Sequence, residues 1–240
     1  MKSLSELNKE YWKKVSADKT TSLKIMPSDE DLDLVPTAIH VLDVGCGDGQ
    51  LSEWLSEKGF LVSAIDINEN AIIACNKRNT KVNYTLQDIT KRTTFENSLF
   101  DLVCFRFTLA NIHRDEWPVL RKEVDRLVAP GGFVWLAEPL VSTDYQKRYE
   151  LSKRLLNDEH TIFIFKNPRT ARDITTTDQL QTAIERGEVY SISRHYTKKE
   201  LMNLFPAFKI LREKMIVVKS PSGFNIQTFT ALLKKPVKDN

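Results

Sequence analysis

The stretch VLDVGCGDGQ, Val41–Gln50, decides how this chain is read. An apolar run carrying one embedded acid, Asp43, breaks into three glycines that alternate with Cys46 and Asp48, and a helix-like pattern follows. A strand that ends in such a loop brings bare backbone against a ligand, since only glycine supplies tight turns without a Cβ in the way.

Outward from this loop, strand and helix alternate. IHVLDVG predicts a buried strand, and LSEWLSEKG a helix with Leu51, Trp54 and Leu55 on one face and Gly59 as its stop. FLVSAIDI is a second apolar strand, and Asn68 is the expected N-cap of ENAIIACNKRN. VNYTLQD and FDLVCFRF give a third and a fourth strand. Asp115 is the expected N-cap of EWPVLRKEVDRLV, whose Trp117, Leu120, Val124, Leu127 and Val128 share a face and whose Pro118 falls in the tolerant first turn. APGG ends that helix, and FVWLAE is a fifth strand. This alternation implies right-handed crossovers and a mostly parallel sheet covered on both faces.

The pattern changes after residue 139. Residues 140–195 carry the helical patterns DYQKRYELSKRLLND and TTDQLQTAIERG, broken by FKNPRT, and are too long for a connection, so a helical lid is expected. TKKELMNLF gives a last helix, and FKILREKMIVVK and FNIQTFTALLKK flank SPSG as an antiparallel hairpin. The expected fold is α/β: a Rossmann-like, doubly wound sheet of seven strands, mostly parallel with a C-terminal antiparallel hairpin, plus the lid. One domain is expected over 1–240, with an N-terminal helical flap (1–36), a ligand-binding core (37–139), the lid (140–195), and the last helix and hairpin (196–240).

Composition fits such a domain: 41% hydrophobic and 28% charged over 240 residues. The 35 basic and 32 acidic residues leave a net charge of only +3, mixed along the chain, which argues against a strong polyanion binder. No apolar run is long enough to cross a bilayer, and the start MKSLSELNKEYWKK lacks a signal-peptide core. Cys46, Cys75 and Cys104 are odd in number, widely spaced and set in apolar runs. They suit buried thiols in a reducing cytoplasm, with neither a disulfide framework nor a metal site expected.

A dinucleotide-binding loop is spaced G-x-G-x-x-G and sets a pyrophosphate on a helix N-terminus. Here Gly45, Gly47 and Gly49 are spaced G-x-G-x-G, and Asp43 stands two residues before the first of them. An acid there repels a pyrophosphate and favours a cationic amino or sulfonium group. On the residues VLDVGCGDG, AIDIN, LQDI, FDLVCFRFTL and LVAPGGFVWLAE, in that order, the chain resembles the class I S-adenosylmethionine-dependent methyltransferases of the small-molecule type, over roughly residues 37–139.

The resemblance implies S-adenosyl-L-methionine as cofactor, with S-adenosyl-L-homocysteine as product. It implies that Gly45, Cys46 and Gly47 form the turn against the methionine portion, with Gly49 letting the helix begin close by. Asp43 matches the acid near the methionine amino group. Asp66 matches the acid that takes both ribose hydroxyls, and Ile67 would lie against the adenine. Asp88, with Ile89 beside it, matches the acceptor for the adenine amino group, and Phe105 and Arg106 the floor under the methyl donor. Tyr11 and Trp12 resemble an aromatic pair on a flap helix. Simpler readings stay open: Asp66 and Asp88 can be caps or turn formers, Phe105 and Phe107 core, and Tyr11 and Trp12 part of a surface helix.

Methyl transfer from a sulfonium needs alignment more than acid–base chemistry, so an absent triad is no objection. Candidate catalytic residues are His113 in RFTLANIHRDEW and His195 with Tyr196 in SRHYTKKEL, with helix capping and packing as the competing roles. Arg106 suggests an anionic group on the acceptor, or else an arginine paired with a nearby acid. A small-molecule acceptor is expected, with neither nucleic acid nor membrane as partner; the oligomeric state is undetermined. The alternatives are an RNA or protein methyltransferase, or a non-catalytic scaffold of the same fold. The tetrad and the Pro-Cys pair of the DNA enzymes are missing.

Overall fold

The computed structural model describes residues 4–15, 23–35, 39–78, 80–142, 145–156, 158, 160–167, 169–219 and 225–237. The SPSG segment expected between the hairpin strands lies outside the described residues. An N-terminal helix α1 (Leu4–Lys14) and a short α2 (Asp29–Leu32) precede the first strand. Then follow β1 (His40–Val44), α3 (Gln50–Glu57), β2 (Leu61–Asp66), α4 (Glu69–Asn76), β3 (Asn83–Leu86), β4 (Phe100–Arg106), α5 (Trp117–Leu127) and β5 (Val128–Pro139). Next come α6 (Gln146–Leu156), β6 (Thr161–Phe165), α7 (Thr170–Asp173), α8 (Thr177–Glu185), β7 (Val189–Arg194), α9 (Lys198–Leu204), β8 (Lys209–Lys219) and β9 (Asn225–Lys234).

Seven strands form one sheet in the order β3-β2-β1-β4-β5-β9-β8. The first five run parallel, β9 pairs antiparallel with β5, and β8 with β9. The expected seven-strand sheet and its terminal hairpin are both present. Strand order reverses between β1 and β4, so the crevice for a ligand opens at the carboxyl ends of those two strands.

Burial on both faces explains the continuous apolar strands. One face of the sheet carries Leu51 and Leu55 of α3 with Ile72 and Cys75 of α4. The other carries Leu120, Val124 and Leu127 of α5 with Leu201 and Leu204 of α9. Helix starts follow local chemistry. The Asn68 side chain accepts a hydrogen bond from the Ala71 amide at 3.2 Å, as a cap should. Thr197 and Glu200 form a reciprocal capping box at α9.

Three expectations need correction. Asp115 is not the cap of α5: it lies in a 3₁₀ turn at Arg114–Glu116, and Glu116 takes the cap position without a side-chain bond. APGG does not separate α5 from β5, because the strand begins at Val128 and its pairing with β4 slips between Phe100 and Leu102, which absorbs those residues as a bulge. Residues 140–195, expected as a helical lid, are not wholly helical. TIFIF and VYSISR, rich in β-branched and aromatic residues, pair as the antiparallel strands β6 and β7. Phe163, Phe165, Ile192 and Leu180 of α8 close a small core of their own there.

Candidate functional site

A cavity of about 360 Å³ opens at the carboxyl ends of β1, β2, β3 and β4. The glycine loop forms its floor. Gly45 has φ +71°, and a Cβ there would stand 2.6 Å from both Oγ1 and Cγ2 of Thr108, whose hydroxyl donates to the Val44 carbonyl at 2.7 Å. The loop therefore presents bare backbone for two reasons, its dihedral and its neighbour. Gly49 is not on the cavity wall; with φ +79° it is the N-cap of α3.

Three acids stand at successive strand ends. Asp43 on β1 is fully buried, accepts the Ser52 hydroxyl at 2.6 Å, and is pushed up to about 6 by burial, with Arg106 and Ser52 acting against that rise. It lies behind the cavity wall rather than on it. Asp66 ends β2, with Oδ2 accepting the Gly47 amide at 2.9 Å and Oδ1 the Asn68 amide at 2.8 Å. Burial raises its pKa and these amides restrain the rise. Each carboxylate oxygen keeps a second lone pair, so the site retains two-oxygen acceptor capacity. Asp88, beyond β3, accepts the Thr90 amide and hydroxyl at 3.0 and 2.6 Å through Oδ1, and Lys9 at 3.1 Å through Oδ2. Burial works to raise its pKa, but the bonds from Thr90 and Lys9 outweigh it and hold the carboxyl below its ordinary value.

Cys46, Gly47, Ile67, Ile89 and Arg106 line the cavity together with Asp66 and Asp88, as does Trp12 from α1. Tyr11 does not; it meets Trp12 edge-on with ring centroids 5.3 Å apart. Phe105 is buried in the core near Phe205, and the aromatic that reaches the cavity is Phe107. Phe107 has φ +55°, a costly conformation for a bulky residue, fixed by its amide bond to Ala137 and by Asn111, whose side chain donates to its carbonyl at 2.8 Å.

The candidate catalytic residues separate. His195 lines the cavity from the lid, its Nδ1 lying 3.0 Å from the Tyr149 hydroxyl. Tyr196 is fully buried, donates its hydroxyl to the Ile112 carbonyl at 2.8 Å, and does not line the cavity. His113 caps the 3₁₀ turn, accepting the Asp115 amide at 3.5 Å, and also stands off the main cavity.

Two functional contacts escaped the sequence. Lys9 reaches from α1 across the cavity mouth to Asp88, to Thr90 Oγ1 at 2.5 Å and to Glu116. No local pattern announces a bond across 79 residues. Glu138 on β5 accepts the amides of Thr108, Leu109 and Ala110 at 2.9, 2.8 and 3.1 Å, fixing the turn that follows β4. Burial pushes it up to about 8 against those three donors. An acid closing the apolar run FVWLAE was its available signal.

The groups present fit an adenosyl amino acid: Asp66 and Asp88 offer carboxylate acceptors on the cavity wall, and Arg106 offers donors beside the glycine loop, with Asp43 behind it. A buried, unpartnered Trp12 Nε1 donor and an under-used Arg106 guanidinium at the same cavity argue that a polar ligand completes it.

Residues 41–132 match a family described as a methyltransferase domain. A demethylmenaquinone methyltransferase of Leptospira interrogans is 35% identical over 102 residues, covering 39% of this chain and 40% of that protein. A ribosomal protein L11 methyltransferase of Campylobacter fetus is 33% identical over 134 residues, 52% of this chain and 46% of that protein. The chain thus spans less than half the length of these relatives. In three dimensions it is similar to an S-adenosylmethionine-dependent methyltransferase of Methanosarcina mazei, with a TM-score of 0.74 and 23% identity over 91% of this chain and all of the other; this likeness concerns the fold. With the reversed strand order, the G-x-G-x-G loop and the three strand-end acids, these matches identify residues 41–132 as a class I, S-adenosylmethionine-dependent methyltransferase domain.

Proposed function

We propose that the chain transfers the methyl group of S-adenosylmethionine to a small-molecule acceptor by in-line displacement. The observation that carries this reading is the roof of the cavity. Lys9 and Trp12 of the flap and Ser193 and His195 of the lid line the same space as the glycine loop, which suits an acceptor small enough to be enclosed. The matched relatives do not decide the acceptor class, since they align mainly through the cofactor-binding strands.

When bound, the cofactor supplies an activated methyl on a sulfonium. The chain's part is to hold, align and exclude water. The glycine loop, Asp66 and Asp88 fix the nucleoside, Phe107 walls the space beside β4, and the flap closes over it. His195, which lines the cavity beside Tyr149, is our assignment for taking a proton from an acceptor that arrives as a phenol or ammonium. An anionic acceptor rests on Arg106 alone, and Arg106 stands among Asp43 and Asp48 rather than among the lid residues, so the acceptor class is proposed without that charge. Three free cysteines support a reducing, cytoplasmic setting. No helix among the described residues is long and apolar enough to cross a membrane.

The test is methyl incorporation from labelled S-adenosylmethionine into a panel of phenolic, quinol and heterocyclic amine acceptors, with RNA and ribosomal protein alongside, followed by product mass. Labelling of small molecules, lost in His195→Gln only for protonated acceptors, supports the reading. Labelling confined to RNA or protein overturns it.

A further inference from the structure

A second, smaller cavity of about 20 Å³ adjoins the first. The two share Ala110, Asn111, Ile112 and Ser193 on their walls, whereas the glycine loop, Asp66 and Asp88 line only the larger one. Three residues around the small cavity each hold a buried polar atom with no hydrogen-bond partner among the described residues: Asn8 Oδ1, Asn111 Oδ1 and Arg194 Nε. They come from three separate elements, α1, the 3₁₀ turn Leu109–Asn111 after β4, and the end of β7. Such atoms are costly unless something pairs with them.

Neither amide can relieve the cost by turning over. Asn8 Nδ2 donates to the Asn111 carbonyl at 2.7 Å, and Asn111 Nδ2 to the Phe107 carbonyl at 2.8 Å. A flip would set oxygen against oxygen. Arg194 pairs through Nη1 with Asp158, and Nη2 lies 3.8 Å from Glu200. The cavity therefore presents two acceptors and one donor, with the guanidinium charge already met. Its volume admits about one or two non-hydrogen atoms. A neutral hydroxyl donates to one amide oxygen and accepts from Nε, and a neutral aromatic amino group donates to both oxygens. An ammonium has no lone pair for Nε and meets a like charge.

Resting on the small-molecule reading above, we infer that Asn8, Asn111 and Arg194 form a subsite for a neutral hydroxyl or amino substituent of the acceptor, one that does not itself receive the methyl. The substituent touches α1, the turn and β7 together, which makes this subsite a determinant of acceptor choice.

The test is methyl transfer from labelled S-adenosylmethionine by the full chain to catechol, resorcinol and hydroquinone against phenol, and to the diaminobenzenes against aniline. In the wild type, the second hydroxyl or amino group is expected to raise kcat/KM at least about tenfold for one of the isomers, and the better series tells oxygen from nitrogen. Asn8→Leu, and Arg194→Lys with its charge kept for Asp158, are expected to reduce that preference to about threefold or less, through KM rather than kcat. Calorimetry with S-adenosylhomocysteine checks that both variants are folded. A wild type without the preference overturns the inference. So does a preference that both variants retain, which leaves the cavity to a buried water. An equal loss on every acceptor overturns it too, in favour of a structural junction. A chain that binds S-adenosylhomocysteine and labels no small molecule removes the proposed function itself, a result distinct from these.

Discussion

Asp66 Oδ2 accepts the Gly47 amide at 2.9 Å, so the acid that ends β2 is tied directly to the glycine loop that follows β1. One carboxylate thus shapes the loop with one lone pair of Oδ2 and retains further acceptor capacity for a diol. Asp66→Ala removes both functions and is expected to abolish measurable cofactor binding. Asp66→Asn keeps one acceptor oxygen and is expected to weaken binding by roughly 30- to 150-fold, the loss of about 2–3 kcal/mol for a charge-assisted bond. Calorimetry on both variants checks the order; equal affinity for wild type and Asp66→Asn contradicts it.

Gly45 and Thr108 form a second testable pair. Gly45→Ala forces a positive φ on alanine and drives its Cβ to 2.6 Å from the Thr108 side chain. Left-handed strain and overpacking together are expected to cost roughly 2–4 kcal/mol of stability. Adding Thr108→Ala removes the nearest atoms and should recover part of that loss, leaving the φ penalty. Urea denaturation of the two variants measures the coupling; strictly additive losses would contradict the contact.

Two of the raised carboxyls, Glu138 and Asp43, give a pH dependence with a definite sign. Glu138 titrates at about 8 and Asp43 at about 6 in the folded chain, both above the ordinary carboxyl range. The folded state holds protons that the unfolded state has released, so the stability these two groups contribute is fully present below about pH 4 and is lost as pH rises through 6 and then 8. Between pH 6 and 8 the slope should come from Glu138, at about 1.4 kcal/mol per pH unit. Thermal unfolding across pH 5–9 should show Tm falling, and Glu138→Gln should flatten the curve above pH 6 while lowering Tm at pH 5, because its amide cannot accept at both ends. A Tm that rises from pH 5 to 8 in the wild type contradicts this.

Lys9 fastens α1 by ion pairs to Asp88 and Glu116. Lys9→Met is expected to release α1 from the cavity mouth and weaken cofactor binding by about 5- to 30-fold, roughly 1–2 kcal/mol. Dissociation should accelerate more than association slows, since the flap is part of the bound state's cover. Stopped-flow Trp fluorescence reports it, with Trp12 on the cavity wall as the reporter and Trp12→Phe as the control.

The strands of the sheet and the loop at Gly45 were legible because burial on both faces leaves continuous apolar runs, and a ligand loop leaves glycines. Asp66 and Asp88 were singled out by the resemblance, and both line the cavity. Phe105 and Phe107 could not be ranked, since alternation along β4 is masked when both faces are buried; the positive φ at Phe107 breaks the alternation and turns it into the cavity. The β6–β7 pair was missed because amphipathic helices on either side dominated the pattern of the lid. Lys9 with Asp88, and Tyr149 with His195, join segments far apart in sequence, and no local periodicity encodes them.

The central claim is that carboxylates at the ends of adjoining strands select a sulfonium nucleoside over a pyrophosphate-bearing one. Its most direct test is side-by-side calorimetry of the purified chain with S-adenosylmethionine and with a pyridine dinucleotide. One equivalent of the sulfonium compound should bind, with no heat from the dinucleotide. Saturable uptake of the dinucleotide, with the sulfonium compound ignored, would contradict the account.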